Sequence, residues 1–286
     1  MKQPASSVGT SRGAAAPSDR YRIRAVDRAL SALAVLLKAD ESLTATEIAE
    51  RIGLVPSTTF RLLVTLELHR FLERESETGR YRLGIACLEL GSRYLAANDI
   101  RARALPVLET LRDEFGETVH LTTLDGSEVV YLEKLEGLHP IGFMSSRVGG
   151  RAPAYCTGVG KAMLAYVPEE ELRDHLPDRL HRFTGNTITD LDLLLEDLAV
   201  VRDRGYATDN QEHEEGVKCV AVPLFDHRGI AGAISLSGPA ERMDEHLHLK
   251  DLATRLQEEA HRISIQLGGH LLESRRDDRT GGSSET

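Results

Sequence analysis

The chain has 286 residues, of which 41% are hydrophobic and 28% charged, a composition that suits two modest folded domains. Its three cysteines are scattered without CxxC spacing, which argues against a disulfide framework and a structural zinc site and is typical of a reducing cytoplasm. The net charge of −10 is unevenly spread along the chain. Residues 1–83 hold 13 Lys/Arg and 10 Asp/Glu, a net charge of +3, whereas residues 84–286 hold 22 and 35, a net charge of −13. Because DNA phosphates repel an acidic surface, only the N-terminal part is suited to contact nucleic acid.

The two ends of the chain, residues 1–20 and 271–286, are polar and rich in small residues, and we expect both to be disordered. The N-terminus lacks the continuous apolar core of a signal peptide. No run of about 18 apolar residues is present, so no transmembrane helix and no membrane partner are expected.

The first predicted helix spans residues 21–38. Apolar residues recur there at helical spacing, and this periodicity predicts that Val26, Leu30, Leu33 and Leu37 face inward.

A helix-turn-helix is predicted next. Thr44 and Glu47 form a capping box at the start of one helix, and Gly53 is suited to end it. Pro56 then opens a second helix that runs to about residue 69. Two helices joined by a short turn with a glycine are typical of DNA-binding proteins, and an ordinary αα-hairpin is the alternative. The inward residues of the second helix are predicted to be Leu62, Leu63 and Leu66.

Residues 70–84 read as a β-hairpin that turns at Gly79, because apolar and charged residues alternate on both sides of it. A hairpin directly after a recognition helix is the wing of a winged helix, although a merely solvated hairpin has the same pattern. The arginines on or beside it are Arg70, Arg74, Arg80 and Arg82.

The remainder of the chain is predicted to be a linker helix over 85–99 followed by an α+β domain over 100–270. A helix over 100–116 begins or is interrupted near Pro106. From residue 117 onward, β-rich segments, among them 141–148, alternate with helical ones, and a last helix spans about 242–267.

Several segments in this order resemble the IclR family of bacterial transcription regulators, and most of all its KdgR-like branch, which controls sugar-acid catabolism. They are "VDRAL" (26–30), "STTFRLLVTL" (57–66), "GRYRLG" (79–84), "ETVHL" (117–121), "GKAMLA" (160–165), "DNQEHEEGVKCVAVPLFD" (209–226) and "AISLSGP" (233–239).

The resemblance implies a winged helix-turn-helix over 21–84, the linker helix and a GAF-like effector-binding domain. It further implies a homodimer or homotetramer that binds double-stranded operator DNA and is switched by a small metabolite. We therefore expect a ligand-responsive regulator of a catabolic operon, by first choice a repressor, and neither an enzyme nor a protein with a cofactor.

Candidate DNA contacts lie near the start of the predicted recognition helix. Short polar side chains there are suited to the major groove, and an arginine can reach a phosphate or a guanine edge. A solvated helix start with a surface charge is the alternative. The candidates are Ser57, Thr58, Thr59 and Arg61, with Arg80 on the wing.

Candidate effector contacts begin at "GVGK" (158–161). This is no nucleotide-binding loop, because Tyr155 stands where a glycine is required and Ala162 where Ser or Thr is required. The amides of Gly158 and Val159 open a helix and can face an anion, or form a plain tight turn. The resemblance adds four residues around a small carboxylate effector such as a sugar acid or keto acid: Asp209, Cys219, Ser235 and Ser237.

Two other functions stay open at this point. Cys219 with His213 could form the thiol and base of a small-molecule hydrolase, although a small cysteine at the start of an apolar strand is usually structural. Alternatively, the front domain binds a protein instead of DNA. The charged run of Glu212, His213, Glu214 and Glu215 is predicted to be solvated.

Overall fold

Residues 21–138, 144–176, 179–245 and 249–269 are described by a computed structural model of the chain. They form two units, which divide between Tyr94 and Leu95. The two ends predicted to be disordered lie outside the described residues. No helix among the four ranges is long and apolar enough to span a membrane.

The first unit is the predicted winged helix-turn-helix, which the structure confirms. Three helices precede a two-stranded antiparallel hairpin, and a fourth helix follows it. The elements are α1 Arg24–Leu37, α2 Ala45–Ile52, α3 Pro56–Leu68, β1 Leu72–Arg74, β2 Tyr81–Leu83 and α4 Ile85–Ala96.

Local sequence signals determine where α2, α3 and the hairpin begin and end. The hydroxyl of Thr44 accepts from the Glu47 amide, and the Glu47 carboxylate accepts from the Thr44 amide, which completes the predicted capping box. Gly53 ends α2 at φ 66°, and Gly79 turns the hairpin at φ 70°, both in the left-handed region that favours glycine. Pro56 occupies the first turn of α3, where its missing N–H costs nothing.

Helix α1 packs by a different face from the predicted one. Val26, Leu30 and Leu37 are each more than half exposed, whereas Ala32 and Leu36 are buried against the neighbouring helices. The helix carries two apolar stripes, and the stripe with the small alanine is the one that allows close packing. Periodicity showed that the helix is apolar but not which stripe is buried. The predicted inward face was therefore wrong for Val26, Leu30 and Leu37, whereas Leu33 is partly buried and packs on this core as predicted.

The second unit is a six-stranded antiparallel sheet with helices on both faces, as the α+β prediction expected. The strands lie in the order β5-β4-β3-β8-β7-β6. The strands are β3 Thr118–Asp125, β4 Glu128–Leu135, β5 Arg151–Pro153, β6 Ala207–Asn210, β7 Val217–Asp226 and β8 Gly229–Pro239. The helices are α5 Asp99–Phe115, α6 Gly158–Leu164, α7 Glu169–His175, α8 Leu191–Arg204, α9 Ala240–Glu245 and α10 Leu249–Gln266.

Alternate residues of the central strands divide between two cores. Val220 and Val222 of β7 belong to the core formed with α5 and α10, and Ala221 between them belongs to the core under α6 and α8. Two small residues of this core, Ala221 on β7 and Ala233 on β8, let α6 lie close to the sheet. This arrangement brings the start of α6 next to the strand ends that form the site described below.

Two details of this unit differ from the prediction, and a third falls partly outside the described residues. Helix α5 runs through Pro106 without a break. The predicted strand over 141–148 lies partly outside the described residues, and its described part, 144–148, forms no regular strand. The predicted last helix corresponds to two helices, α9 and α10, and residues 246–248 between them lie outside the described ranges.

Candidate functional site

The exposed side of α3 presents part of the predicted DNA-contact set. Ser57 and Arg61 are exposed and Thr58 is half-buried. Thr59 is 0% exposed, and its hydroxyl donates to the carbonyl of Val55 at 3.3 Å. Its predicted role in DNA contact was therefore wrong.

The burial of Thr59 follows from helical spacing. It lies four residues before the buried Leu63 and seven before Leu66, which puts all three on the core face of α3. The sequence already contained this signal, but the hydroxyl suggested a solvent-facing residue.

Arg80 is also placed differently from the prediction. Its Nε donates to the carbonyl of Ser42 at 2.8 Å, and its guanidinium pairs with Glu47 at 3.1 Å. These contacts join the hairpin to the capping box of α2. Arg80 thus holds the wing to the helix-turn-helix rather than presenting a free charge, because Glu47 lies close enough in space to bind it.

A second site is formed by the sheet of the second unit. The strand register places Asp209 opposite Cys219, and Cys219 opposite Ser237, in one row across three strands. Ser235 lies opposite His120 in a second row. Side chains of these residues stand on the same face of the sheet as Ala221 and Ala233, the face covered by α6.

The first turn of α6 closes over this row. The hydroxyl of Thr157 accepts from the amide of Gly160 and so caps the helix. A Cβ at Gly158 would lie 2.4 Å from the sulfur of Cys219. Only glycine allows the helix start to come this close, which places Gly158 and Val159 directly beside the strand residues.

A cavity of about 40 Å³ lies between the helix start and the strands. All six residues predicted to contact an effector line it, although they come from positions up to 79 residues apart in the sequence. No lysine or arginine is among the lining residues, which are His120, Tyr131, Met144, Ser146, Thr157, Gly158, Val159, Asp209, His213, Glu214, Val217, Cys219, Ser235 and Ser237.

His120 is a lining residue that the sequence analysis missed. Its Nδ1 lies 3.4 Å from the hydroxyl of Ser235 and 3.3 Å from that of Ser237, and its Nε2 lies 2.9 Å from the hydroxyl of Ser146. Burial, together with the charge of Lys134, lowers the pKa of His120 to about 3. The imidazole is therefore neutral and offers one donor and one acceptor to the surrounding hydroxyls.

The segment 144–146 borders the cavity and is held by side chains around it. Ser145 donates to Glu214 from its amide at 3.2 Å and also from its hydroxyl. Lys134 donates to the carbonyl of Ser146 at 2.9 Å. Glu214 and His213 line the cavity, so the prediction that their charged run is solvated was wrong for these two residues.

Asp209 is the ionisable group at the centre of the row. Burial, reinforced by the negative charge of Glu212, raises the pKa of Asp209 to about 7, although the Glu212 amide donates to its carboxylate at 2.7 Å. A substantial fraction of Asp209 therefore carries a proton near neutral pH, when it can donate a hydrogen bond.

A buried ion pair lies directly behind Asp209. Lys161 of α6 is 2% exposed, and its Nζ lies 2.6 Å from Glu212 and 3.0 Å from Asp197 of α8. Burial alone would lower the pKa of Lys161, but the two carboxylates outweigh it and raise the value. Lys161 is thus a permanent cation that fixes the loop after Asp209. The predicted solvated position of Glu212 was wrong.

The cavity is suited to binding rather than to nucleophilic catalysis. Burial raises the pKa of Cys219 to about 12, and a thiol that holds its proton so firmly is a poor nucleophile. The hydroxyls, the neutral imidazole and the protonatable Asp209 can bind a small polar molecule through hydrogen bonds, while the helix start can accept its negative charge.

Two family models match this chain. The IclR helix-turn-helix domain matches residues 25–76, and the C-terminal domain of the bacterial transcriptional regulator IclR matches residues 92–265.

Curated relatives match over nearly the same span. The regulator XynR of Escherichia coli is 38% identical, with 86% of this chain and 98% of XynR covered. The transcriptional repressor IclR of E. coli is 34% identical, with 87% of this chain and 91% of IclR covered. The regulator KdgR, also of E. coli, is 36% identical, with 79% of this chain and 86% of KdgR covered. These relatives are transcription regulators and not enzymes.

Solved structures agree with the sequence matches. The IclR protein of Thermotoga maritima is 38% identical, with a TM-score of 0.68 and 86% and 99% of the two chains covered. An IclR homolog from Microbacterium hydrocarbonoxydans, solved as a complex with 4-hydroxybenzoate, is 26% identical, with a TM-score of 0.74 and 85% and 98% covered. With both family models matched in chain order and the fold shared throughout, this protein belongs to the IclR family of DNA-binding transcription regulators.

Proposed function

We propose that the protein represses a catabolic operon by binding operator DNA through α3, and that a small carboxylate bound in the cavity releases it. The observation that carries this proposal is that all six residues predicted to contact an effector meet at one cavity beside the start of α6. Repression is supported by relatives that are named repressors.

The proposed effector is a small carboxylic acid. Its carboxylate would face the amides of Gly158 and Val159, and a keto or hydroxyl group would face Ser235, Ser237 and neutral His120. The homolog solved with 4-hydroxybenzoate supports an acid as ligand.

A thermal-shift screen tests the effector class. Pyruvate, 2-keto-3-deoxygluconate and 4-hydroxybenzoate represent keto, sugar and aromatic acids, and the melting temperature should rise with one of them. The rise should vanish in Asp209→Ala and persist in the control Asp203→Ala, which removes an exposed acid of α8. If only the sugar acid raises the melting temperature, the effector is a sugar acid, as the resemblance to the KdgR-like branch implies.

Operator binding is tested by Arg61→Ala. Loss of one charged contact in the groove should weaken binding to a promoter fragment beside the protein's own gene by about 10- to 100-fold. Arg173→Ala, an exposed arginine of the second unit, is the control and should bind as the unaltered protein does. Equal affinity of the two variants would show that α3 does not lie in the groove as proposed.

We further propose that the DNA-binding form is a homodimer or a pair of dimers. The exposed apolar stripe of α1, formed by Val26, Leu30 and Leu37 and extended by Ile23 just before the helix, supports this because a second copy can cover it. Leu30→Glu is expected to shift the chain toward monomers in analytical ultracentrifugation. Lys38→Glu changes the charge of the same exposed region without removing apolar area, and should leave the assembly intact. Identical sedimentation of both variants would rule out this stripe as the interface.

A further inference from the structure

Helix α3 carries an apolar stripe that the domain core does not use. Phe60 is 48% exposed, Val64 43% and Leu68 78%, and their spacing of four residues puts them along one side of the helix. The core side of α3 is formed by other residues, Thr59 and Leu63. Among the described residues of the first unit, Phe60 belongs neither to the core nor to the partly buried residues packed on it.

The neighbours of Phe60 are the two residues proposed to contact DNA. Ser57 lies three residues before it, which places it one turn away on the same surface, and Arg61 adjoins it. Phe60 therefore stands between an exposed hydroxyl and an exposed guanidinium in the N-terminal half of the helix. A recognition helix presents this half to base edges. A self-association surface would be expected to be apolar throughout, as the stripe of α1 is.

The chemistry of the major groove supplies a partner for an exposed aromatic ring. Base edges there present hydrogen-bond donors and acceptors and a single apolar group, the C5 methyl of thymine. A phenylalanine side chain cannot hydrogen-bond to a base edge, so this methyl group is the base-edge group that it can contact favourably. Leu68, at the other end of the stripe, is about 12 Å further along the helix and is not expected to reach the same bases.

We propose that Phe60 is a specificity-determining residue, which contacts a thymine methyl group in each half-site of the operator. This inference rests on the proposed DNA contact through α3. It assigns sequence preference to an apolar contact, with Arg61 and Ser57 as its polar neighbours.

The experiment begins with selection of a tight-binding duplex from random DNA by the full-length protein. Each thymine of that duplex is then replaced by uracil, which removes only the methyl group, and Kd is measured by fluorescence anisotropy at fixed salt. At the contacted thymines, uracil should weaken binding of the unaltered protein about fourfold per half-site. This factor corresponds to the free energy gained by burying one methyl group.

Two variants complete the test. Phe60→Ala should bind the thymine and uracil duplexes equally, whereas Leu68→Ala, which truncates an exposed side chain of the same stripe, should keep the fourfold difference. Circular dichroism checks that both variants fold, which their exposure leads us to expect.

The outcomes separate the inference from the proposed function. If no duplex is selected, DNA binding through α3 fails and the inference fails with it. If a duplex is selected but uracil has no effect at any position, or Phe60→Ala keeps the full penalty, DNA binding stands and the assignment of Phe60 is wrong.

Discussion

Replacing Lys161 with methionine should lower the free energy of unfolding of the second unit by about 3–5 kcal/mol, the usual cost of removing one partner of a buried ion pair. Methionine nearly matches the volume of lysine but leaves the carboxylates of Glu212 and Asp197 without their cation. Glu212 has no room to turn to solvent, because it is itself buried. The loss should shrink as the pH is lowered, because burial raises the pKa of Glu212 and its carboxyl then takes up a proton more readily.

Urea unfolding of the full chain measures this effect. The control is Lys218→Met, which breaks the more exposed pair of Lys218 with Asp244 and should cost less than about 1 kcal/mol. The double variant Lys161→Met/Glu212→Gln should recover part of the loss, since one uncompensated charge is then gone. A Lys161→Met protein as stable as the control would contradict the buried ion pair.

Asp209→Asn should be the more stable protein at pH 8, by up to about 4 kcal/mol, and equal to the unaltered protein near pH 4. The folded carboxyl keeps its proton up to about pH 7, whereas the unfolded one loses it near its ordinary pKa of 3.8. Between these values the folded state binds more protons than the unfolded state. Stability therefore falls as pH rises through this window, and the loss is complete above it. Asparagine cannot ionise, so the free energy of unfolding of Asp209→Asn does not fall in this window.

The difference in the free energy of unfolding between the unaltered protein and Asp209→Asn reports the ionisation of Asp209 alone. His120, whose lowered pKa acts in the opposite direction below about pH 6.5, contributes equally to both and cancels. Urea unfolding at pH 5, 6, 7 and 8 should show the two curves separating with pH, with Asp203→Asn following the unaltered protein. Parallel curves would show that Asp209 titrates as an ordinary exposed carboxyl does.

Signals that act over a few residues were sufficient to predict much of the fold. The capping box of Thr44 and Glu47, the helix end at Gly53 and the hairpin turn at Gly79 each depend on near neighbours, and the structure has all three. The buried face of α1 was mispredicted because α1 has two apolar stripes, and packing on α2 and α3 selects between them. Thr59 was mispredicted because its residue type was given more weight than its spacing from Leu63.

Of the six predicted effector contacts, the helix start indicated Gly158 and Val159, and the family resemblance supplied the other four. His120 stands in a strand with alternating polar residues, Thr118 and Thr122, and that pattern could have marked a polar face. Its partners on β8 lie more than 110 residues away, and strand register alone brings them together. The pair of Lys161 with Glu212 spans 51 residues and leaves no periodic signal. Such pairings depend on tertiary packing, which local spacing does not encode.

The central proposal is that an acid bound beside Asp209 changes the affinity of the whole chain for operator DNA. It is tested by fluorescence anisotropy with the selected duplex, in which the acid found by the thermal-shift screen is titrated into the protein–DNA complex. We expect saturating acid to raise the Kd for DNA at least fivefold in the unaltered protein, as allosteric coupling typically does, and to leave the Kd of Asp209→Ala unchanged. A DNA affinity that does not respond to the acid, or that responds equally in Asp209→Ala, would contradict the proposal.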